Sequence, residues 1–311
     1  MNLKVHNLIK NSPTYNNEIT IKIDVENSTV GDLKKLIYTE LNLENIINYN
    51  NIGLSYSLYD QNKKTLLSIY HPLIYYENFN NPSCEVYVKD IGRQISYKLV
   101  YFLEYLGPEI IIFLYYIHLY YVKKNNNEKI PWVQEFFFFM SNFHFIKRIL
   151  ETFFVHIFSR DTMPLINLFK NCIYYWGIYG LFCGYFLFHK DYNIKFLLWF
   201  RYIFVVFFIS SEIYNFRCHM ILRELKLNNN NKKQIPPEKD GFEYVTCANY
   251  FWEFLSWLSF SFFSLHWSVF IFTILGFIQM RSWAIKKHTE MCLNFGDLYP
   301  AQRKAFIHFF I

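Results

Sequence analysis

Ionisable side chains recur at helical spacing between His144 and Asn171, a stretch that lies among strongly apolar segments. His144, Lys147 and Glu151 are three to four residues apart, and Arg148 follows Lys147, so all of them can share one helix face. Ionisable groups near a bilayer are costly, and they mark functional sites or lie at the interface. The stretch therefore predicts either a polar site or an amphipathic helix that rests on lipid headgroups.

A second polar stripe follows in the segment Asn215–Leu227. Asn215, His219 and Arg223 are four residues apart, so one helix face presents an amide, an imidazole and a guanidinium. Guanidinium groups bind phosphate in a fork, and amides add directional hydrogen bonds. The stripe suits the phosphate and ribose groups of a nucleotide, although a solvated helix end would show the same spacing.

Tyr250 is the sharpest single candidate, because it enters an apolar segment together with Asn249 and Glu253. A phenol at a membrane entrance can donate a proton or polarise a carbonyl. The alternative is a tyrosine of the interfacial aromatic belt. With 26 tyrosines in the chain, residue type alone does not decide between the two interpretations.

The composition shows what kind of scaffold must hold these residues. The chain has 311 residues, of which 53% are hydrophobic, 22% aromatic and only 18% charged. Low glycine, proline and cysteine content excludes collagen-like and disulfide-stapled proteins, and the aromatic content excludes global disorder. The mean hydropathy of +0.06 is too low for a protein that is membrane-embedded throughout. Either the chain is an ordinary soluble protein or a polar part dilutes a very apolar one, and the distribution along the chain favours the second.

The polar part is residues 1–90, which we interpret as a cytosolic domain. Thr20–Val25 alternates apolar and polar residues as a half-buried strand does. Ser28 or Thr29 can cap the helix that follows. The predicted buried face of this helix consists of Val30, Leu33, Leu36 and Ile37. Further strand candidates are Ile52–Leu58, Thr65–Leu67 and Glu85–Val88. This order predicts a ubiquitin-like β-grasp domain, with a generic α+β module as the alternative.

The apolar part is residues 91–311, a predicted polytopic helical membrane domain. Candidate spans are Leu99–Val122, Pro131–Phe145, Cys172–Phe188, Ile194–Tyr214 and a tight pair within Tyr250–Met280 that turns near His266. These make about six transmembrane helices, with an error of one. Basic residues concentrate in alternate loops and in the tail, which places both termini in the cytosol. No basic helix or nucleic-acid motif accompanies this charge, so a nucleic-acid partner is not expected.

Ordered motifs carry a resemblance to a known family along nearly the whole chain. They include Val88–Ser96, Glu104–Pro108 and the His144–Asn171 block, whose pattern IKRxLETxFVHxFSxxTMPxxNxFKN is highly specific. Asn215–Lys226, Ala248–Tyr250 and Gly276–Met280 follow in the same order. The chain thus resembles the very-long-chain trans-2-enoyl-CoA reductases, within the wider steroid 5α-reductase-like membrane family.

The resemblance implies the last step of microsomal fatty-acid elongation. It implies reduction by NADPH of the trans-2 double bond of a long-chain trans-2-enoyl-CoA, in the endoplasmic reticulum membrane. Membrane lipid and other elongase subunits are the expected partners, and no metal is expected. The chain has no GxGxxG fingerprint, so the cofactor should lie in a cytosol-facing cavity of the helical domain rather than in a Rossmann fold.

The resemblance also assigns roles to individual residues. Tyr250 would be the proton donor or carbonyl polariser, Lys147 an essential partner through charge or phosphate binding, and Glu104 a required acid. The expected NADPH-site residues are Asn215, His219, Arg223, Lys226, Asn249, His288, Arg303 and Lys304.

The chain departs from the family pattern at a few positions. Phe145 stands where steroid reductases have a carbonyl-polarising tyrosine, and Thr289 and Met291 replace family residues after His288. Two alternative functions stay open at this point. One is a steroid or polyprenol reductase on the same scaffold, and the other is a non-catalytic elongase scaffold.

Overall fold

A computed structural model describes residues 2–9, 12–45, 52–57, 65–66, 73, 85–158, 162–194, 196–228 and 234–307. The chain divides into two compact units. One consists of residues 1–97 with 160–167, and the other consists of residues 98–159 with 168–311. The predicted boundary near residue 90 stays a prediction.

Among the described residues, five strands form a mixed sheet in the first unit. They are β1 (Asn2–Asn7), β2 (Glu18–Lys22), β3 (Ile52–Ser57), β4 (Thr65–Leu66) and β5 (Glu85–Asp90). The sheet order is β2-β1-β5-β3-β4, and β1 pairs with β5 in parallel while the other pairs are antiparallel. Alternate residues of β1 point into the core, where Leu3 and Val5 are fully buried. A separate antiparallel pair joins β6 (Gln94–Ser96) to β7 (Thr162–Pro164).

The helix α1 (Val30–Glu40) begins at the predicted cap. The Thr29 hydroxyl accepts from the Asp32 backbone N–H, and the Asp32 carboxylate accepts in return from the Thr29 N–H. One residue of the predicted buried face is wrong, because Leu36 is 40% exposed. Lys34 is buried instead, since it lies four residues after Val30 on the face that meets the sheet.

The remaining helices are α2 (Tyr97–Asn125), α3 (Trp132–Phe154), α4 (Ile166–Cys172), a π-helix (Ile173–Cys183), α5 (Gly184–Leu187), α6 (Leu198–Asn228), α7 (Ala248–Ser264) and α8 (Trp267–Phe295). Two segments among the described residues are long and apolar enough to cross a membrane, Tyr97–Asn125 and Trp267–Leu298. The other predicted spans stay predictions. The predicted turn near His266 is confirmed, because α7 ends at Leu265 with a left-handed backbone and His266 caps α8.

Aromatic side chains and glycines determine how the helices pack. Tyr179 of the π-helix is fully buried, and its ring lies 4.9 Å from that of Trp257 on α7. The Trp176 ring lies so close to Gly107 of α2 that a Cβ there would approach it to 1.9 Å. The Trp176 indole N–H also donates to the Leu103 carbonyl at 3.0 Å. This contact fixes the π-helix against α2, which carries Glu104.

A buried arginine closes the end of α7 that lies away from Tyr250. The Arg201 guanidinium, 1% exposed, donates to the Phe263 carbonyl at 2.5 Å and to the Ile194 carbonyl at 2.7 Å. The last carbonyls of a helix have no partner within the helix, so this side chain satisfies one of them. Arg201 therefore stabilises the turn between α7 and α8.

Candidate active site

Lys147 of α3 lies against the middle of α6. Its ammonium is 2.5 Å from Glu212 Oε2 and 2.7 Å from Asn215 Oδ1, while Glu151 Oε1 is 3.9 Å away. His144, one turn earlier on α3, places Nδ1 2.7 Å from the other oxygen of Glu212. Glu212 is 1% exposed, and its carboxylate lies between these two α3 side chains.

Asn215 extends these contacts to α7. Its side-chain N–H donates to the Asn249 carbonyl at 2.8 Å. An ammonium only donates and a carbonyl only accepts, so the two partners fix the orientation of the Asn215 amide. The accepting carbonyl belongs to the peptide bond that leads to Tyr250. Lys147, Asn215 and Asn249, which spacing and the resemblance singled out, are therefore brought together.

Arg148 is the centre of a neighbouring polar cluster. Its Nη1 donates to Glu151 Oε2 at 2.8 Å, and its Nη2 donates to the Tyr105 hydroxyl at 2.9 Å. Glu253 of α7 lies 4.0 Å from Nη2. Arg148 is 6% exposed, and its Nε has no hydrogen-bond partner among the described residues.

His219 contacts this cluster, with Nδ1 3.0 Å from Glu151 Oε2. Glu151, His156 and His219 each bring a possible metal-ligand atom within 4.8 Å of the others. However, the Arg148 Nη1 lies 3.4 Å from a ring nitrogen of each histidine and 2.8 Å from Glu151. A guanidinium already supplies the positive charge there, so the cluster gives no support for a metal ion. Burial lowers the pKa of His156, which follows α3, to about 2, so this ring is neutral.

Glu104 of α2 belongs to the second unit, as Lys147 and Arg148 do, and it is 3% exposed. Its Oε2 accepts from the Asn171 side chain at 2.6 Å. The next residue, Tyr105, is the phenol that accepts from Arg148. Glu104 thus directly precedes Tyr105, a residue of the Arg148 cluster, in the sequence. Lys147 approaches the same cluster through Glu151.

The Tyr250 ring packs among apolar residues between α7 and α8. It lies beside the Trp283 ring, with centroids 6.1 Å apart, and it packs against the buried cluster around Met280 and Ala284. Its hydroxyl makes no hydrogen bond to any residue that the structure describes. Asn249 and Glu253 flank it on the same helix, and both are 8% exposed.

The C-terminal segment folds back onto the start of α7. The Thr246 hydroxyl lies 2.6 Å from His288 Nδ1 and 2.7 Å from the Tyr299 hydroxyl. The Thr246 backbone N–H donates to the Lys304 carbonyl at 2.8 Å. The pKa of Tyr299 is raised by burial. His288 and Lys304 therefore meet at Thr246, although for Lys304 this contact involves only the backbone.

Arg303 is 3% exposed, and its Nη2 donates to the Pro236 carbonyl at 2.9 Å. Its Nε and Nη1 have no partner among the described residues. Lys226 donates to the Ile157 carbonyl. Arg223 is half-buried and contacts no hydrogen-bond or ion-pair partner within the described part of the chain. Among the described residues, Arg223 and Arg303 show no direct contact with the Lys147 cluster.

Buried polar atoms without a partner provide a test of whether a nicotinamide cofactor fits. Among the described residues, Asn249 Oδ1 is a buried acceptor without a donor, and Arg148 Nε is a buried donor without an acceptor. A nicotinamide carboxamide has both an N–H donor and a carbonyl acceptor. The unpaired Arg303 nitrogens suit a phosphate in the same way. The residues present therefore fit the cofactor.

Sequence reasoning missed two groups of this site. Glu212 was not singled out, although a carboxylate within the candidate span Ile194–Tyr214 is itself a signal. Tyr105 could not be distinguished in the sequence from the many other tyrosines. Phe145, which was noted as a departure, is fully buried with its ring 6.5 Å from that of Tyr105.

Comparisons with known proteins agree on one family. The chain is 38% identical over 226 residues to the "Very-long-chain enoyl-CoA reductase" of Dictyostelium discoideum, across 73% of this chain and 74% of that protein. It is 38% identical over 241 residues to the "Probable very-long-chain enoyl-CoA reductase" of Caenorhabditis elegans, across 72% of this chain and 75% of that protein. A "Trans-2,3-enoyl-CoA reductase-like" protein of Homo sapiens is 32% identical over 235 residues, 73% of this chain and 64% of its own length.

Residues 161–311 also match the protein family described as 3-oxo-5-alpha-steroid 4-dehydrogenase. This match covers α6, α7 and α8, which carry Glu212, Asn215 and Tyr250. The ordered motifs of the sequence and the relatives lead to the same assignment. The chain belongs to the very-long-chain enoyl-CoA reductase family.

Proposed function

We propose that this protein reduces the trans-2 double bond of long-chain enoyl-CoA with NADPH, as the last step of fatty-acid elongation. Relatives named as enoyl-CoA reductases support the reaction. The observation that carries the proposal within the chain is the series of contacts from Glu212 through Lys147 and Asn215 to Asn249. It ends at the peptide bond before Tyr250, beside buried polar atoms that lack partners.

The chemistry requires two things of the protein. NADPH, when bound, supplies a hydride to the β-carbon, which the conjugated thioester makes electrophilic. Negative charge then develops on the thioester oxygen, and a proton must reach the α-carbon. In our proposal Tyr250 donates from its hydroxyl, either to the α-carbon or to the thioester oxygen. Lys147 and Arg148 supply positive potential, and Glu104 orients donors through Asn171 and the adjacent Tyr105.

The expected cofactor residues fall into two sets in this proposal. Asn215, Asn249 and His219 lie at the Lys147 and Arg148 clusters and would border the nicotinamide. Arg223, Lys226, His288, Arg303 and Lys304 would bind the phosphate-bearing part of NADPH. The free donors of Arg303 support this assignment most directly, whereas His288 already contacts Thr246.

The architecture that we propose is a helical domain of about six spans in the endoplasmic reticulum membrane, with both termini in the cytosol. Two apolar segments and the family support the membrane location. The first unit would be a cytosolic ubiquitin-like β-grasp. Its strand order and the capped α1 after β2 support this assignment. Elongase subunits are the partners proposed for this unit, and membrane lipid surrounds the helices.

The test is turnover by the purified full-length protein in lipid nanodiscs. NADPH oxidation that depends on a long-chain trans-2-enoyl-CoA, with saturated acyl-CoA as the product by mass spectrometry, is the expected result. Tyr250→Phe should lower kcat by about 10²- to 10⁴-fold, because one proton donor is removed. Tyr244→Phe is the matched control, since Tyr244 is 56% exposed.

The same assay separates the alternatives. A steroid 4-en-3-one and a polyprenol are run beside the enoyl-CoA, since residues 161–311 match the steroid family. Preferential reduction of either one would replace the proposed substrate. A folded protein that binds no NADPH would instead favour the non-catalytic scaffold. Full activity of Tyr250→Phe would remove that residue from its role.

A further inference from the structure

Glu212 is the one carboxylate of α6 that is buried among the described residues, and the proposed function uses its contacts without assigning it a role of its own. It is 1% exposed and lies within the candidate span Ile194–Tyr214. Its two oxygens meet different α3 side chains, His144 at 2.7 Å and Lys147 at 2.5 Å. One buried carboxylate therefore contacts two side chains of a neighbouring helix, His144 and Lys147.

These contacts determine where the Lys147 ammonium lies. An ammonium has three N–H donors; that of Lys147 donates to Asn215 Oδ1 at 2.7 Å and forms an ion pair with Glu212 Oε2 at 2.5 Å. Glu151, at 3.9 Å, is too distant for a third bond. The position of the Lys147 ammonium is thus set by α6. Asn215, on the same segment of α6, also donates to the Asn249 carbonyl.

The fold alone gives little reason for an ionic contact at this point. Replacing a buried ion pair by apolar residues of similar volume is often neutral or stabilising, because both charges lose their hydration. Two apolar side chains could hold α3 against α6 equally well. A buried carboxylate one helical turn from Asn215 is explained better by the charge that it places than by the stability that it adds.

We propose that Glu212 is a positioning residue of the reductase site. It holds the Lys147 ammonium, and through it the Asn215 amide, in the arrangement that faces the start of α7 beside Tyr250. The inference rests on the proposed function. Glu212 itself touches neither substrate nor cofactor, and it acts through Lys147.

The first experiment compares three single variants of the full-length protein in nanodiscs. Glu212→Gln keeps the shape and removes the charge, so kcat should fall about 10- to 100-fold, as for supporting residues of other sites. The KM values for NADPH and enoyl-CoA should stay within about threefold. Glu212→Asp keeps the charge and should recover part of the loss. Glu224→Gln, an exposed carboxylate on the same helix, is the matched control and should behave as wild type.

The second experiment tests whether Glu212 acts through Lys147. If it does, Lys147→Met with Glu212→Gln should be no slower than Lys147→Met alone, because the group being positioned is already missing. Multiplicative losses in the double variant would overturn the inference. If Glu212→Gln does not accumulate, the Glu212→Asp variant decides: a lower kcat with unchanged KM supports the inference, and an unchanged kcat overturns it.

The remaining outcomes are also distinct. A wild type that turns over and a Glu212→Gln variant with full kcat per folded molecule, even at a lower thermal midpoint, would leave Glu212 a structural role only and overturn this inference alone. A wild type that shows no NADPH-dependent reduction of any enoyl-CoA would overturn the proposed function and this inference together.

Discussion

The two units of the protein bury different kinds of side chain. The buried cluster of the first unit consists entirely of leucine, isoleucine and valine. The second unit packs mainly aromatic rings, and it also buries charged side chains: Glu104, Arg148, Glu151, Arg201, Glu212 and Arg303. Aliphatic burial stabilises a fold at little risk, whereas each buried charge costs free energy unless it is paired. Charges that the fold does not need therefore indicate where chemistry takes place.

Lys34 and Lys147 make this comparison sharp, because each is a lysine that its own unit largely encloses. Lys34 is 4% exposed beside the aliphatic core, and Lys147 meets Glu212 and Asn215. The same substitution can be made at both positions. If the comparison is right, only the lysine of the second unit affects turnover.

The largest expected effect is the loss of activity in Lys147→Met. Removing a preorganised positive charge from the site should lower kcat at least about 100-fold. The measurement is NADPH oxidation per folded molecule, with Lys34→Met as the control that should retain wild-type kcat. Comparable losses at both lysines would mean that burial of any lysine, and not its place in the site, explains the effect.

A smaller effect is expected where the second unit depends on close apolar packing. In Gly107→Ala the new Cβ would approach the rigid Trp176 ring to 1.9 Å, so the π-helix must shift away from α2. Overpacking of this kind costs about 1–3 kcal/mol. The thermal midpoint should fall by about 2–10 °C, on the scale expected for a domain of this size.

Gly177→Ala is the matched control, because a Cβ there meets nothing within 4 Å.

A second comparison uses Lys147→Met with Glu212→Met, which replaces the ion pair by two apolar side chains. This variant should keep the thermal midpoint of the wild type or exceed it. A larger loss of stability there than in Gly107→Ala would show that the ionic cluster, and not the packing, holds the helices together.

The sequence predicted local features well, since these depend on neighbours along the chain. The Thr29 cap and the shared face of His144, Lys147 and Glu151 follow from helical spacing alone. Pro131–Phe145 was predicted as an apolar span, and α3, which contains most of it, continues to Phe154 through the predicted polar face. The last turns of α3 look polar in the sequence, but their charged side chains are buried against other helices.

Contacts between residues that are far apart in the sequence could not be predicted from spacing. Glu212 lies 68 residues after His144, and nothing in the sequence of either segment predicts that the two side chains are in contact. Lys34 shows the same limit on a small scale. Its type indicates exposure, but the face of α1 that meets the sheet includes it and leaves Leu36 outside.

The smallest expected effect is a pH dependence of the first unit. Burial lowers the pKa of Lys34 from its ordinary value of 10.5 to about 8. Between these values the unfolded chain binds a proton that the folded unit has lost, so the free energy of unfolding should rise with pH from about 8 to about 10.5. The rise is at most about 1 kcal/mol per pH unit.

The seven tryptophans all lie after residue 97, so fluorescence does not report on the first unit. Pulse proteolysis in urea at pH 8 and pH 9.5, read by the first-unit fragments, measures it instead. Lys34→Met should be more stable than the wild type at pH 8, and the difference should shrink at pH 9.5, because the wild-type lysine is then largely neutral when folded. A constant difference between the two proteins would show that the buried ammonium costs the first unit nothing, and the contrast between the two lysines would then rest on activity alone.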